Sequence, residues 1–455
     1  MATDDRATAA DDPENYPLPP GPDGWPLIGQ TFAISRDFRT AYEQRLVPHG
    51  DVVRYTFVGR RWVTVIHPDH VQRVLLDDWE SFGKYGFEDF GGEFASEGVL
   101  FAEGEQWRSQ REAMQDAFTI DRIQGYADAM TRFTADLVDS WAEGDVVAID
   151  EAFADLTLRI LCHSLFDLDV AAEAQIVGEF TASMNEISRP SGLTSYLPLW
   201  VPTPENRRYK RLLDAFREFV VELIDRRRGR AEEFDDLLSM MLVAEDDAGR
   251  TMSETELRDQ MVTFLFAGHE TTALALSFAL LEIANSDAVR ERLDAEYEAV
   301  LDDRDPTPTT MGRLDATDRV IREALRLYPP AYIQFRRATE DVVIDGYRIP
   351  EGTRMTIPQF HIHRDERWYD DPEQFRPERW TDEFEDELHD YAYFPFGGGP
   401  RHCIGMRFAM MELKHVLPVL LRRVEFDLVS DPEPDLDPAA TLHPADPIEM
   451  RISKR

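Results

Sequence analysis

The stretch FPFGGGPRHCIG, Phe394–Gly405, holds one of only two cysteines in a chain of 455 residues. Three consecutive glycines, a proline and an arginine stand just ahead of Cys403. Glycine loses the most conformational freedom on ordering, so a dense run marks a place where something must come close to the main chain. Downstream, IGMRFAMMELKHVLPVLLRR reads as a helix, which puts Cys403 at a helix N-terminus, where the dipole favours a thiolate. Upstream, the glycines are expected to turn the chain tightly and aim N–H groups at the sulfur, a device that tunes a metal-bound thiolate.

Three readings are open to such a cysteine: a buried structural thiol, a nucleophile or a metal ligand. A nucleophile needs a base within reach, and the adjacent His402 is expected to point elsewhere. No CxxC or HxxxH companion offers a zinc site. A lone axial ligand to haem iron fits best.

The segment Phe396-x-x-Gly399-x-Arg401-x-Cys403-x-Gly405 resembles the haem-binding motif of the cytochrome P450 family, five fixed positions in ten residues. The resemblance implies Cys403 as the proximal iron ligand, Phe396 packed near the sulfur, and Arg401 on a haem propionate. A second match lies in MVTFLFAGHETTALALSFALL (261–281), whose AGHETT resembles the family's oxygen-activation motif. It implies that Ala267 and Gly268 leave room for a ligand on the iron, and that Glu270 and Thr271 carry protons to dioxygen. A mid-helix glycine costs about 1 kcal/mol relative to alanine, which such a role would explain.

Four more segments fall in the family's order. Trp107-x-x-x-Arg111 resembles its propionate-binding helix motif, and Arg336 occupies a similar strand position, with Arg337 as the neighbouring substitute. Glu323-x-x-Arg326 shares one helix face, and the resemblance implies that Arg379 in FRPERW (375–380) joins it in a buried structural network. Trp380 stands where the family often has phenylalanine. The implied fold is mainly α with a small β-rich region, with haem b between a long central helix and the cysteine-bearing helix. The implied activity is that of a haem-thiolate monooxygenase. A peroxide-using or peroxide-rearranging enzyme and a non-catalytic haem-thiolate sensor are the alternatives.

Local patterns support this frame. Ser253 and Glu256 form a capping box for a helix over 254–285, which at 1.5 Å per residue is about 48 Å long. Its apolar residues occupy nearly every side, so burial in a large core is expected. DVVRYTFVGRRWVTVIHP (51–68) and the Asp345-Gly346 turn predict hairpins. The helix over 317–328 stops at Pro329 and Pro330. Length alone allows about three domains. Since Trp107, the long helix and Cys403 must converge on one cofactor, we expect a lead over 1–25 and a single domain over 26–455.

The net charge of −39 excludes nucleic acid as a partner. The 49 basic residues include only four lysines (Lys84, Lys210, Lys414 and Lys454), leaving 45 arginines against 88 acidic residues. Acid spread along the chain with so little lysine resembles proteins of salt-loving archaea. The acidic, proline-rich N-terminus lacks the basic start and apolar stretch of a signal peptide, so a cytoplasmic protein without a transmembrane anchor is expected. Electrons then come from a separate protein, a ferredoxin, docking on a basic patch that includes Arg407 and Lys414.

Apolar residues of the long loop (Tyr85, Phe87, Phe90, Phe101), of the long helix (Phe264, Ala267) and of a strand (Ile333, Phe335) are expected to line the pocket of a lipophilic substrate. Fatty acids, terpenoids, carotenoids and sterol-like compounds are all open. Cys162, His269, His361 and His363 read as structural, the last two in a strand-like run. Leu197, Leu199, Trp200 and Val201 are unusually apolar for a surface connection.

Overall fold

The structure is a computed structural model that describes residues 12–85, 94–168, 174–188, 197, 199–246 and 248–455. From Pro17 onward the lead makes backbone hydrogen bonds to two strands. Its Pro17 and Pro20 carbonyls accept the N–H groups of Arg348 and Arg54 at 2.9 and 2.8 Å. Proline keeps its carbonyl even though it has no N–H, so it can still edge a sheet.

Strands β1 (Val52–Phe57) and β2 (Arg60–Val65) form the first expected hairpin, with Val58 and Gly59 at positive φ in the turn. They join β3 (Phe82–Lys84), β4 (Gln334–Ala338) and β7 (Arg354–Ile357) in a sheet of order β1-β2-β7-β4-β3. Only the β2–β7 pairing is parallel. The second hairpin, β5 (Val342–Ile344) and β6 (Tyr347–Ile349), turns on Asp345 and Gly346 at φ 51° and 72°. Paired positive φ angles suit an aspartate–glycine turn.

The helical side is built from α1 (Gly104–Gln115), α2 (Ala127–Ser140), α3 (Ile149–Phe166), α4 (Ala174–Ser188), α5 (Pro204–Arg227), α6 (Glu254–Ala284), α7 (Asp315–Leu327) and α8 (Met406–Arg423). Both halves of the capping box at α6 are made. By length and composition α6 could cross a membrane, yet 78% of its most apolar window is buried inside the protein. It packs against α3, α5, α7 and α8, and the apolar side chains of these helices form one continuous core. From Met261 to Leu281 only Ala267, Gly268 and Thr271 escape full burial. They lie within about one turn of each other, so α6 has a single accessible window in an otherwise packed cylinder.

Residues 359–362 form a helical turn rather than the strand expected around His361 and His363. Beyond α8, β8 (Leu436–Pro438) and β9 (Leu442–Pro444) make a small separate hairpin.

Candidate functional site

The glycines ahead of Cys403 turn out to serve packing. Gly397 and Gly399 hold φ at 74° and 63°, a region that side chains disfavour. A Cβ on Gly399 would overlap the Leu75 carbonyl, and one on Gly398 would overlap the Tyr391 ring. The run therefore lets the loop lie flush against its neighbours. The groups that reach the sulfur come after it, namely the backbone N–H of Gly405 and of Met406. Phe396 supplies the carbonyl that accepts the Cys403 N–H at 2.8 Å.

Cys403 precedes α8 by three residues, so the helix begins at its far side. Its side chain is solvent-accessible, and the surrounding protein desolvates the sulfur. Enclosure pushes the thiol upward, against the pull of the two N–H groups and Arg111. The lowered thiol expected from the helix dipole is thus reversed, because desolvation penalises the anion more than the two N–H groups and Arg111 stabilise it. An iron atom would add a cation at the sulfur.

Four basic side chains converge nearby. Arg401 stacks over the buried Trp107 ring at 4.5 Å and donates to the Ala102 carbonyl at 2.9 Å. Arg111, one turn beyond Trp107, donates to the His402 carbonyl at 3.0 Å. Strand alternation turns Arg336 inward, where it is buried, and leaves Arg337 partly exposed, which resolves the choice between them. Arg336 meets only the Phe335 carbonyl and the Gln334 side-chain oxygen, with no carboxylate among the described residues. Burial, then repulsion from Arg401, lowers its proton affinity to a pKa of about 10. Burial likewise brings Arg401 to about 10, with Glu103 opposing and Arg111 adding to the fall.

Lys84, opposite Arg336 in the β3–β4 register, completes the group. Burial first, then Arg336 and Arg401, hold it well below its usual range. Sequence reasoning missed this role, although a lysine is conspicuous where arginine is the rule. Packed cations facing one another are costly without anions to pair with. The two carboxylates of a haem would meet that need, and the Cys403 sulfur is accessible to an iron. The residues present therefore fit the cofactor.

The accessible window of α6 carries the second motif. Thr271 Oγ1 donates to the Ala267 carbonyl at 2.8 Å. Gly268 lies where α6 approaches α3. A Cβ there would meet Leu161 of α3 at 2.9 and 3.0 Å, so the glycine permits close helix contact. Glu270 is buried and held by groups absent from the sequence reading: Asn185 Nδ2 at 2.6 Å, Thr441 Oγ1 at 3.0 Å and His443 Nε2 at 3.2 Å. His269 is buried, with Nδ1 2.6 Å from the Leu265 carbonyl, in a structural role.

The expected structural network forms in full. Fully buried Glu323 takes Arg326 Nε and Nη2 at 2.9 and 2.8 Å, Arg379 Nε at 2.9 Å and the Arg376 N–H at 2.9 Å. Trp380 Nε1 adds a fifth donor at 3.0 Å, something phenylalanine in that place would lack.

The pocket residues divide. Phe101 and Phe264 belong with the helical core, whereas Tyr85, Ile333 and Phe335 pack in a cluster beside the sheet. Tyr85 is buried with its ring 5.1 Å from Trp62 and its hydroxyl 3.2 Å from Arg354 Nε, so it acts as a core residue. Phe87 and Phe90 lie outside the described residues. The docking patch also narrows. Lys414 is ion-paired with Asp318 and mostly covered, leaving Arg407 exposed. Of the apolar connection, Leu197 and Trp200 are exposed and Leu199 is buried. Cys162 is buried in α3.

A family model described as Cytochrome P450 matches residues 19–451. The chain is 32% identical over 407 residues to a cyclooctat-9-en-7-ol 5-monooxygenase of Streptomyces melanosporofaciens, covering 88% of each chain. It is 31% identical over 434 residues to a pentalenene oxygenase of Streptomyces avermitilis, covering 95% of this chain and 96% of that one. A retinoic acid-bound cyanobacterial CYP120A1 structure shares the fold with TM-score 0.85 at 24% identity, covering 97% of this chain and all of that one.

Proposed function

The chain belongs to the cytochrome P450 family of monooxygenases, and on that premise we propose that it oxygenates a rigid, lipophilic terpenoid with electrons from a separate ferredoxin. The observation that supports the cofactor assignment is Cys403 beside Arg336, Arg401, Arg111 and Lys84, buried or half-buried cations for which Glu103 is the one carboxylate acting on Arg401 and Lys84 among the described residues. Haem b, when bound, would supply dioxygen activation, and Cys403 would hold its iron as a thiolate.

The chain's own residues do the rest. Arg336, Arg401, Arg111 and Lys84 would hold the propionates, arginine doing so through its planar fork of donors. Trp107 keeps the Arg401 guanidinium in place by stacking. The accessible surface at Ala267 and Thr271 would face the haem, while the packed remainder of the helix would keep water out. Thr271 Oγ1, bonded to the Ala267 carbonyl, presents its oxygen at that surface as a hydrogen-bond acceptor. Glu270, next in sequence, is the buried acid that accompanies it. This acid–alcohol pair favours a dioxygen-using enzyme over a peroxide-using one.

The substrate class rests on two supports. Phe264 and Phe101 are apolar side chains of the helical core, and two relatives are named for cyclooctat-9-en-7-ol and pentalenene. The acidic surface supports a cytoplasmic, salt-adapted protein. A panel of cyclic terpenes, fatty acids, carotenoids and sterols, screened by shift of the haem absorption band, tests the proposal. Product analysis under labelled dioxygen with a ferredoxin system should then show one labelled oxygen in a terpenoid. Turnover of straight-chain fatty acids alone would refute the substrate class.

A further inference from the structure

Glu270 is enclosed by three elements that the motif does not contain. Asn185 comes from α4, Thr441 from just before β9, and His443 from β9 itself. Carboxylate and amide are both buried, whereas the His443 side chain is 24% exposed. The imidazole is therefore the member of the cluster that touches both solvent and Glu270. It stands on a different part of the chain, 173 positions after the acid.

The contacts around His443 Nε2 suit either protonation state. Without a proton, Nε2 can accept from Asn185 Nδ2 at 3.1 Å or from Thr441 Oγ1 at 2.8 Å. Asn185 Nδ2 carries two hydrogens, so it can serve Glu270 Oε1 and the imidazole together. With a proton, Nε2 donates to Glu270 Oε1 at 3.2 Å. Thr441 Oγ1 can keep its bond to Oε2 in the protonated state. Ring and acid thus stay in contact in both states, which is what a proton-exchange pair requires.

Other charged or titratable groups meet the cluster from each side. Asp150 of α3 lies close enough for His443 to act on it, and Asp437 stands opposite His443 in the β8–β9 register. On α6, His269 bonds within its own helix, and burial lowers its proton affinity. An imidazole near carboxylates at the rim of a protein suits proton uptake from water.

We propose that His443 is a positioning residue that reloads Glu270 with protons from solvent. The proposal rests on the monooxygenase reading. Each turnover consumes substrate, one dioxygen, two electrons from the donor and two protons, and yields oxygenated substrate and one water. A proton given up at Glu270 Oε1 is replaced from His443 Nε2, and His443 takes its own replacement from solvent.

The test is His443→Gln in the haem-loaded enzyme. Glutamine keeps a donor for Glu270 but cannot exchange a proton, so a merely structural role would survive the change. Product per electron pair should fall about tenfold, below the ~10²–10⁴-fold range for a directly acting acid, with the missing electrons recovered as hydrogen peroxide. The dependence of that ratio on pH, over the range where imidazoles titrate, should flatten. If His443→Gln does not load haem, His443→Asn serves with the same expectation.

A readout independent of turnover is the ¹⁵N spectrum of the histidine rings in the ferrous, carbon monoxide-bound enzyme. The resonance absent in His443→Gln should move in Glu270→Gln and stay in place in His389→Gln. Fully coupled product formation by His443→Gln, or a His443 resonance indifferent to Glu270→Gln, would overturn the proposal. Absence of any product from the unsubstituted enzyme would instead fault the monooxygenase reading.

Discussion

Replacing Glu323 by glutamine changes one atom type in a site where five donors point at one buried carboxylate. If the amide oxygen takes the place of Oε1, it keeps the Arg326 Nη2, Arg379 Nε and Arg376 N–H bonds. The amide nitrogen then faces Arg326 Nε and Trp380 Nε1, both donors. Two donors lose their acceptor, and two buried guanidiniums lose their counter-charge. Breaking a buried ion pair in this way costs about 3–5 kcal/mol. For 455 residues at about 2.1 cal/mol/K per residue, the entropy of unfolding is about 1 kcal/mol/K. The unfolding midpoint of the haem-loaded protein should therefore fall by about 3–5 °C, read by circular dichroism.

Trp380→Phe removes one bond to a charged acceptor, worth about 1.5–3 kcal/mol, and should lower the midpoint by about 1.5–3 °C. In the Glu323→Gln background that tryptophan N–H has already lost its acceptor. The two effects should then fall short of additivity by about 1–2 kcal/mol, as for residues sharing one network. A Glu323→Gln protein as stable as the parent, or strict additivity of the pair, would refute the reasoning.

Other consequences are as direct. Gly399→Ala forces a side chain into the Leu75 carbonyl at a positive φ; it should destabilise by more than about 3 kcal/mol and shed haem on gel filtration. Gly405→Ala, whose Cβ meets protein atoms only at 3.9 Å, should keep the unfolding midpoint within about 1 °C of the parent. His363 is buried, its pKa held at about 3, chiefly by burial and then by Arg326 and Arg364. Its Nε2 accepts the Phe394 N–H at 3.0 Å, at the start of the cysteine loop. The unfolded chain binds the extra proton first, so this stability is full above pH ~6.5 and is lost at about 1.4 kcal/mol per unit as pH falls toward 3. His363→Gln should flatten that acid limb in urea titrations. With a net charge of −39, raising potassium chloride from about 0.1 to 2 M should raise the unfolding midpoint as screening shortens to a few ångströms; an unchanged midpoint would refute salt adaptation.

What the sequence made legible was whatever depends on neighbours in the chain. The capping box at Ser253 and Glu256, the Asp345-Gly346 turn and the stop at Pro329 are local signals, and each appears in the fold. The Glu323–Arg326–Arg379 network was readable because two members share a helix turn and the third sits in its own motif. Contacts between distant segments were not readable. Gly268 in the α6 motif meets Leu161 across a helix interface. Lys84 gains meaning only from its register opposite Arg336. Asn185, Thr441 and His443 reach Glu270 from separate elements, and no spacing announces them. The sign of the Cys403 shift was misjudged for a related reason. The helix dipole is visible in sequence, whereas enclosure is a property of the whole fold, and enclosure is the larger effect.

The central claim is that the Cys403 sulfur coordinates haem iron as a thiolate. The absorption spectrum of the reduced, carbon monoxide-bound protein tests it directly, recorded beside Cys403→Ser. The strongly red-shifted band of thiolate coordination should be present in the parent and absent in the variant. A parent spectrum without that band, or a variant that keeps it, would contradict the account.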